Sequence, residues 1–288
     1  MKIVTHNGYF HTDELLAIAA LLLKYSNAEV VRTRDERIIE TADIVVDVGH
    51  VYDPDKLRFD HHMPEGAGIR ENGILYASIG LVWKKFGVEL AGGEEEARIV
   101  EEKLVMPIDA GDNGIDTCAL KFQEVAPYTI GDYLDSFVEG AESFEEFDKG
   151  FLKALPVAQD ILNKEIVRAK RLSADWKEVR RIYQESKHKD IIILPVNKSW
   201  KRVLIPTESV FVIFPRPDGQ WSARAIPKSP YSFELKHPLP QNWAGLRDQE
   251  LAEASGVPEA TFCHRDRWLA NAKTKEAAIK LAEIALNS

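Results

Sequence analysis

Cysteine is nearly missing from this chain: Cys118 and Cys263 are the only two, and neither belongs to a Cys-x-x-Cys pair. That argues against a thiolate zinc site and a disulfide framework, and both are expected to be small buried apolar residues. No apolar run approaches the length that crosses a bilayer, so no membrane partner is expected. The sequence starts at once on a core-like strand, Lys2 to Thr5, without the basic, apolar and small-residue layout of a secretory signal. The expected compartment is therefore the cytoplasm. Basic residues are in deficit, 37 against 46 acidic ones for a net charge of -9, which taken whole argues against a general nucleic-acid coat protein.

The deficit is uneven. Residues 1–150 hold 30 acidic and 14 basic side chains, net -16, whereas the rest hold 16 and 23, net +7. An acidic half suited to cations is followed by a basic half suited to anions, and drift of surface charge is the plain alternative. With 45% hydrophobic and 29% charged residues, 288 in all, the chain reads as two globular domains of ordinary size.

Everything is organised around Thr5-His6-Asn7-Gly8-Tyr9-Phe10-His11-Thr12-Asp13-Glu14, read together with Phe59-Asp60-His61-His62. The first stretch lies between a short apolar strand and the helical pattern of Leu15 to Tyr25. Ile44 to Gly49 reads as a central parallel strand ending in Asp47, and Leu57 to Asp60 as a strand running into His61. Strands alternating with helices predict a parallel sheet wrapped by helices. In such sheets ligands bind beyond the carboxyl ends of the strands, where His6, Asp47 and His61 fall.

Helices are expected at Leu75–Phe86 and Glu94–Val105, the latter ending or kinking before Asp109 because of Pro107. Asp109 and Asp112, three apart, are rival ligands. One long helical pattern, Pro156 to Lys187, is rich in lysine and arginine and is read as a solvated connector. Beyond it the texture changes to strands at Ile191–Val196, Val210–Phe214 and Trp221–Ile226, the last two joined by the hairpin signal Pro217-Asp218-Gly219-Gln220. Helices follow at Asp248–Ala254 and Thr274–Leu286. The expected fold is α/β in two domains, residues 1–187 with a parallel sheet and connecting helix, and residues 188–288 as a smaller α/β substrate-binding domain.

Imidazole and carboxylate together suit divalent transition metals better than all-oxygen shells do. If His6, His11, Asp13, Asp47, His61 and Asp109 converge, six donors are too many for one catalytic zinc and about right for two ions sharing a bridging carboxylate. Paired metals generate hydroxide near neutral pH, orient it and neutralise charge on a transferring phosphoryl group. His62 is the available acid for the leaving group. Arg224, Arg247, His264, Arg267 and Lys273 in the basic half are candidates for holding the rest of a substrate. Arg224 could equally lie on the surface, Arg247 support the helix after it, and Lys273 face solvent. Trp83, Trp200, Trp221, Trp243 and Trp268 could stack bases, or serve as core.

The Asp60-His61-His62 triplet, with the His6–Asp13 cluster before it and Asp47 between, resembles the DHH superfamily of phosphoesterases. The blocks Thr5–Glu14, Arg70-Glu71-Asn72-Gly73, Gly80-Leu81-Val82-Trp83, Ile108–Gly114 and Gly245-Leu246-Arg247 more narrowly resemble the melanocyte-proliferating-gene family, over nearly the whole chain. The resemblance implies a two-domain DHH-like α/β fold, two divalent ions with Mn²⁺ foremost and Mg²⁺ or Zn²⁺ as alternatives, and 3′–5′ exonuclease activity on RNA in at least some members. It also implies His6, His11 and Asp47 on one metal, Asp13, Asp47, His61 and Asp109 on the other, Asp60 orienting His61, and His62 touching the phosphate. Two departures stand out: most of the superfamily has a carboxylate where His11 stands, and the Gly-Gly-Gly-His signature of the usual second domain is missing, with His264 as a partial counterpart. The expected function is hydrolysis of RNA or short oligonucleotides. The alternatives are a phosphatase or phosphodiesterase on a small nucleotide or phosphorylated metabolite, and a non-catalytic nucleotide or RNA binding protein. A homodimer is left open.

Overall fold

A computed structural model of the protein describes residues 1–122 and 124–288. The chain forms two compact units, residues 1–171 and 172–288, and the division falls inside a long helix, Phe144–Glu185. The expected boundary after residue 187 lies just beyond that helix's end.

In the first unit β1 (Lys2–Thr5), α1 (Thr12–Lys24), β2 (Glu29–Arg32), α2 (Glu36–Thr41), β3 (Ile44–Val46), β4 (Tyr52–Asp53) and β5 (Arg58–Phe59) precede the helices α3 (Ser78–Ala91), α4 (Glu94–Val100), α5 (Met106–Asp112), α6 (Ile130–Asp135) and α7 (Phe144–Glu185). The sheet order is β2-β1-β3-β5-β4, parallel except for β4 against β5. Ile3 pairs with Val30 on one side and Ile44 on the other. Order therefore reverses at β1 and β3, which makes the space beyond their carboxyl ends the natural crevice. All three residues of β3 are buried, as a strand covered on both faces requires. In α1 the run Leu15 to Leu21 is wholly buried, because the helix packs against α3 as well as against the sheet.

Two expected helix boundaries differ. Pro107 does not break its helix: a π-helical turn, Glu101–Val105, joins α4 to α5, and Pro107 enters the first turn of α5. An early-turn proline tolerates its missing N–H, and the wide turn absorbs the change of register. The long helix starts at Phe144 rather than Pro156. Ser143 and Glu146 cap it reciprocally at 3.3 and 3.1 Å, and Phe151, Ala154, Ala158 and Leu162 bury one face across the internal proline. Its basic residues face solvent in pairs such as Lys164 with Asp160 at 2.6 Å and Arg181 with Glu185 at 2.7 Å, the plain reading of that charge run.

The second unit contains β6 (Ile191–Ile193), α8 (Lys201–Leu204), β7 (Phe211–Pro215), β8 (Trp221–Ala225), α9 (Asp248–Ser255), β9 (Ala260–Cys263), β10 (Leu269–Ala272) and α10 (Lys275–Leu286). The order is β6-β7-β8-β10-β9, with β6 and β7 parallel and the rest antiparallel. The hairpin signal is realised, with Phe211 opposite Ala225 and Gly219 at φ +82° in the turn. Strand β10 was not foreseen, because Leu-Ala-Asn-Ala has little intrinsic strand preference; pairing with both β8 and β9 makes it one. Helix α10 closes the core with Ala277, Ala278, Leu281, Ala282 and Ala285. The protein is thus mixed α/β with two sheets. Among the described residues no helix is long and apolar enough to cross a membrane. Cys263 is buried and Cys118 is exposed, the latter against expectation, in the loop after α5.

Candidate metal centre

The end of β1 delivers His6, 3% exposed, and the end of β3 delivers Asp47, 2% exposed. Asp47 sits at φ +57°, a left-handed conformation rare for a side-chain-bearing residue, and its N–H donates to the Phe59 carbonyl at 3.1 Å. That kink turns the carboxylate across the sheet edge toward His6 and His61. The His6 Nε2 lies 3.3 Å from Asp47 Oδ2 and also contacts Glu14. Its Nδ1 lies 3.1 Å from the Asn7 carbonyl, so a proton on Nδ1 leaves Nε2 as the ligand atom. His11 occupies the N-cap of α1 in extended conformation, its ring centroid 6.1 Å from that of His6. Asp13, two residues on, is buried and accepts from the Ser78 N–H at 3.1 Å. The same serine donates its hydroxyl to Asp47 Oδ1 at 2.7 Å.

From the opposite side His61 brings its Nε2 to 3.3 Å from Asp47 Oδ1, 3.2 Å from Asp112 Oδ2 and 3.9 Å from Asp13 Oδ2. Despite this crowding, His61 Nε2, Asp13 Oδ1, Asp47 Oδ2 and Glu14 Oε2 are buried and, among the described residues, without a hydrogen bond of proper geometry. A cation bound among them would satisfy these atoms. Three overlapping triads result, His6–His11–Asp47, Asp47–His61–His62 and His11–Asp13–Asp112, each with one ligand atom per residue within 4.8 Å of the others. The donor set fits divalent ions of the Mn²⁺ or Zn²⁺ kind.

The charges respond accordingly. Burial disfavours a protonated His6, but Asp47 and Glu14 outweigh it and lift its pKa to about 10. Burial, reinforced by Asp47 and Asp112, pushes Asp13 well above the usual carboxylate range. Burial acts on Asp47 in the same sense, yet His6, His61 and Ser78 hold it below that range. Carboxylates that share a site have their pKa values driven apart in this way.

Of the two rival aspartates, Asp112 joins the cluster and Asp109 does not. Both Asp109 oxygens are taken, one by the Gly80 N–H at 3.0 Å and the other by Arg70 at 2.6 Å. The π-turn before α5 sets this register, which helical periodicity alone misjudges. Asp60 orients His62 rather than His61: it accepts from the His62 N–H at 3.1 Å, lies 2.8 Å from that ring's Nδ1, and accepts from the His50 N–H at 2.6 Å. In extended chain residues 60 and 62 share a side and residue 61 points away. The hydrogen bond that Asp60 accepts from its ring raises the pKa of half-exposed His62 despite partial burial.

The sequence assigns no individual role to Glu14, Ser78, Arg32 or Arg70, although Glu14 and Arg70 lie in its family blocks. Glu14 is fully buried, accepts from Thr5 Oγ1 at 3.2 Å and faces Arg32 at 3.8 Å. An acid within the strongly apolar face of α1 was the available signal. A cavity of ≈ 420 Å³ opens beside His6, His11, Arg34 and His62, and one of ≈ 750 Å³ beside His11, Asp13, Lys103 and Asp112.

In the second unit Arg224 stacks on Trp268, 4.6 Å from the ring centroid, and His264 packs on the same indole at 4.6 Å. Arg267 donates to the Leu239 carbonyl at 3.2 Å. Arg247, exposed before α9, lies over Phe262 at 4.8 Å, and Lys273 is exposed, with its backbone N–H on the Glu259 carbonyl. Arg224 and His264 thus meet on one indole, and Phe262, under Arg247, lies 6.3 Å from the His264 ring.

The family model described as "Uncharacterised protein family (UPF0160)", MYG1_exonuc, matches residues 2–286. The chain is 32% identical over 317 residues to the MYG1 protein C694.04c of Schizosaccharomyces pombe, covering 100% of this chain and 98% of the relative. It is 32% identical over 328 residues to the MYG1 exonuclease of Homo sapiens (99% and 85% covered) and 31% identical over 331 residues to that of Mus musculus (99% and 84%). A solved structure of an uncharacterized protein from Helicobacter pylori G27 aligns over 100% of both chains at 12% identity and a TM-score of 0.29, too slight a likeness to carry an argument. End-to-end similarity at this level means that the chain belongs to the MYG1 family, as the resemblance to the melanocyte-proliferating-gene family anticipated.

Proposed function

We propose that the protein is a metal-dependent phosphodiesterase that shortens RNA or short oligonucleotides from the 3′ end. It uses two divalent cations, Mn²⁺ foremost, held by His6, His11, Asp13, Asp47, His61 and Asp112. The observation that carries this reading is the set of buried, unbonded donor atoms around Asp47 and His61. The name exonuclease borne by relatives at 31–32% identity supports the reaction class.

When bound, the ions supply a nucleophile at neutral pH and offset charge on the phosphoryl group. The chain's own residues do the rest. Asp60 anchors His62 at 2.8 Å and leaves its other ring nitrogen to protonate the departing oxygen. Ser78 fixes Asp13 and Asp47, and Glu14 with Thr5 holds His6. The two cavities beside the cluster give room for nucleotides on either side of the scissile bond.

The test is a 5′-labelled oligoribonucleotide incubated with the Mn²⁺-loaded protein. A ladder that shortens stepwise is expected, absent in Asp47→Ala, with His62→Ala slowed about 10²- to 10⁴-fold in kcat. An unchanged ladder from a preparation shown by elemental analysis to contain metal would overturn the reading. Turnover confined to mono- and dinucleotides would transfer it to a small-nucleotide phosphatase.

A further inference from the structure

The second unit has a cavity of ≈ 290 Å³ whose walls pair cations with aromatic rings. Lys201 and Arg224 supply the charge; Trp268, Tyr231 and Phe233 supply the rings. Among the described residues no acidic side chain lines it. Arg224 is half-buried on β8, and among the described residues its guanidinium has no hydrogen bond or ion pair; its neighbours are the faces of Trp268 and, at 5.9 Å, Trp200. A cation taken partly out of water and facing only ring faces keeps its N–H donors free to pair with an anion. The turn between β8 and α9 bears two rings on the other side, Tyr231 at 98% and Phe233 at 100% exposure. Two fully wetted aromatics two residues apart, beside an arginine with no carboxylate partner among the described residues, match a ligand with flat faces and a negative backbone.

We infer that this cavity is a grip for single-stranded nucleic acid, in which a base stacks on the Tyr231–Phe233 turn while a neighbouring phosphate pairs with Arg224 and Lys201. The ring faces serve any base, so the grip is tolerant of sequence. The guanidinium, held over the Trp268 ring at 4.6 Å, has N–H donors for phosphate oxygens in a fork. A volume at the small end of ligand cavities suits one nucleotide unit of a longer strand. The inference rests on the nucleic-acid substrate proposed above and adds where, outside the metal cluster, a strand is held.

The test is fluorescence anisotropy on the full chain in chelator, at fixed salt, with a labelled oligouridylate and an abasic ribose-phosphate strand of the same length. The native protein binds the base-bearing strand more tightly. The double variant Tyr231→Ala/Phe233→Ala loses about 5- to 150-fold in affinity for it, and its preference over the abasic strand shrinks. Arg224→Met, checked for an unchanged melting curve, weakens both strands alike. Equal binding of the two strands by the native protein, or a double variant within about twofold of it, would overturn the inference. Both substituted rings are fully exposed, so the double variant keeps the fold. Hydrolysis of bis(para-nitrophenyl) phosphate by the Mn²⁺-loaded native protein is followed in parallel. Its absence bears on the phosphodiesterase reading alone, and the anisotropy decides the grip in either case.

Discussion

Asp109 and Asp112 lie three residues apart on α5, and their surroundings give them opposite tasks. Asp112 Oδ2 stands 3.2 Å from His61 Nε2, whereas Asp109 is wholly buried between Arg70 and the Gly80 N–H. Burial lifts Asp109 to about 7, with Arg70 and Gly80 pulling the other way. Its unfolded value is about 3.9, so the native state binds the proton more tightly, and this group's contribution grows as pH falls from above 7 toward 4. Removing Arg70 leaves the buried carboxylate unpaired. Arg70→Met is expected to lose about 3–5 kcal/mol at pH near 8 and to recover part of it near pH 5.5, where Asp109 is neutral. Denaturant melts at the two pH values check this; a loss that is the same at both, or larger at the lower, contradicts it. The aspartate pair was visible in the sequence. Which member faces the cluster was not, because the π-turn upstream displaces the register that a regular helix would have.

At the scale of elements, the start of α3 ties the site together. The first N–H groups of a helix lack partners within it and carry partial positive charge. Here the Ser78 N–H meets Asp13 at 3.1 Å and the Gly80 N–H meets Asp109 at 3.0 Å, while the Ser78 hydroxyl takes Asp47. One helix end therefore positions carboxylates from α1, the end of β3, and α5. Ser78→Ala is expected to cost about 1–3 kcal/mol by depriving buried Asp47 of a donor. Gly80→Ala is the more disruptive of the two, since its Cβ would stand 1.8 Å from Asp109 Oδ2 and 2.8 Å from Arg70. Urea titrations of both variants test the order, and a neutral Gly80→Ala would show that the carboxylate gives way freely. Gly80-Leu81-Val82-Trp83 was recognisable as a block in the sequence. The reason for its glycine, a carboxylate from α5 pressed against the backbone of α3, exists only once the two helices are side by side.

For the molecule as a whole, the proposed ions link function to stability. Acidic groups forced together around Asp47 are stabilised by any cation that the native state alone binds, by about 2.7 kcal/mol at a hundred times the dissociation constant. Calorimetry is expected to show Tm rising with added Mn²⁺ in the native protein and staying level in Asp47→Ala. A Tm indifferent to Mn²⁺ in both would remove the metal from the account.

The alternation of apolar strands and amphipathic helices already determined an α/β chain, and the ends of its early strands already marked where His6, Asp47 and His61 would stand. Those features are local: they follow from side-chain periodicity and from the direction in which a parallel strand delivers its last residue. Tertiary structure alone decided that Asp112 rather than Asp109 joins the cluster, that Asp60 serves His62, that Glu14 and Ser78 support the ligands, and that Leu269–Ala272 is a strand. Each of these depends on which groups meet across tens of residues, where partner, burial and free hydrogen-bond capacity outweigh local preference.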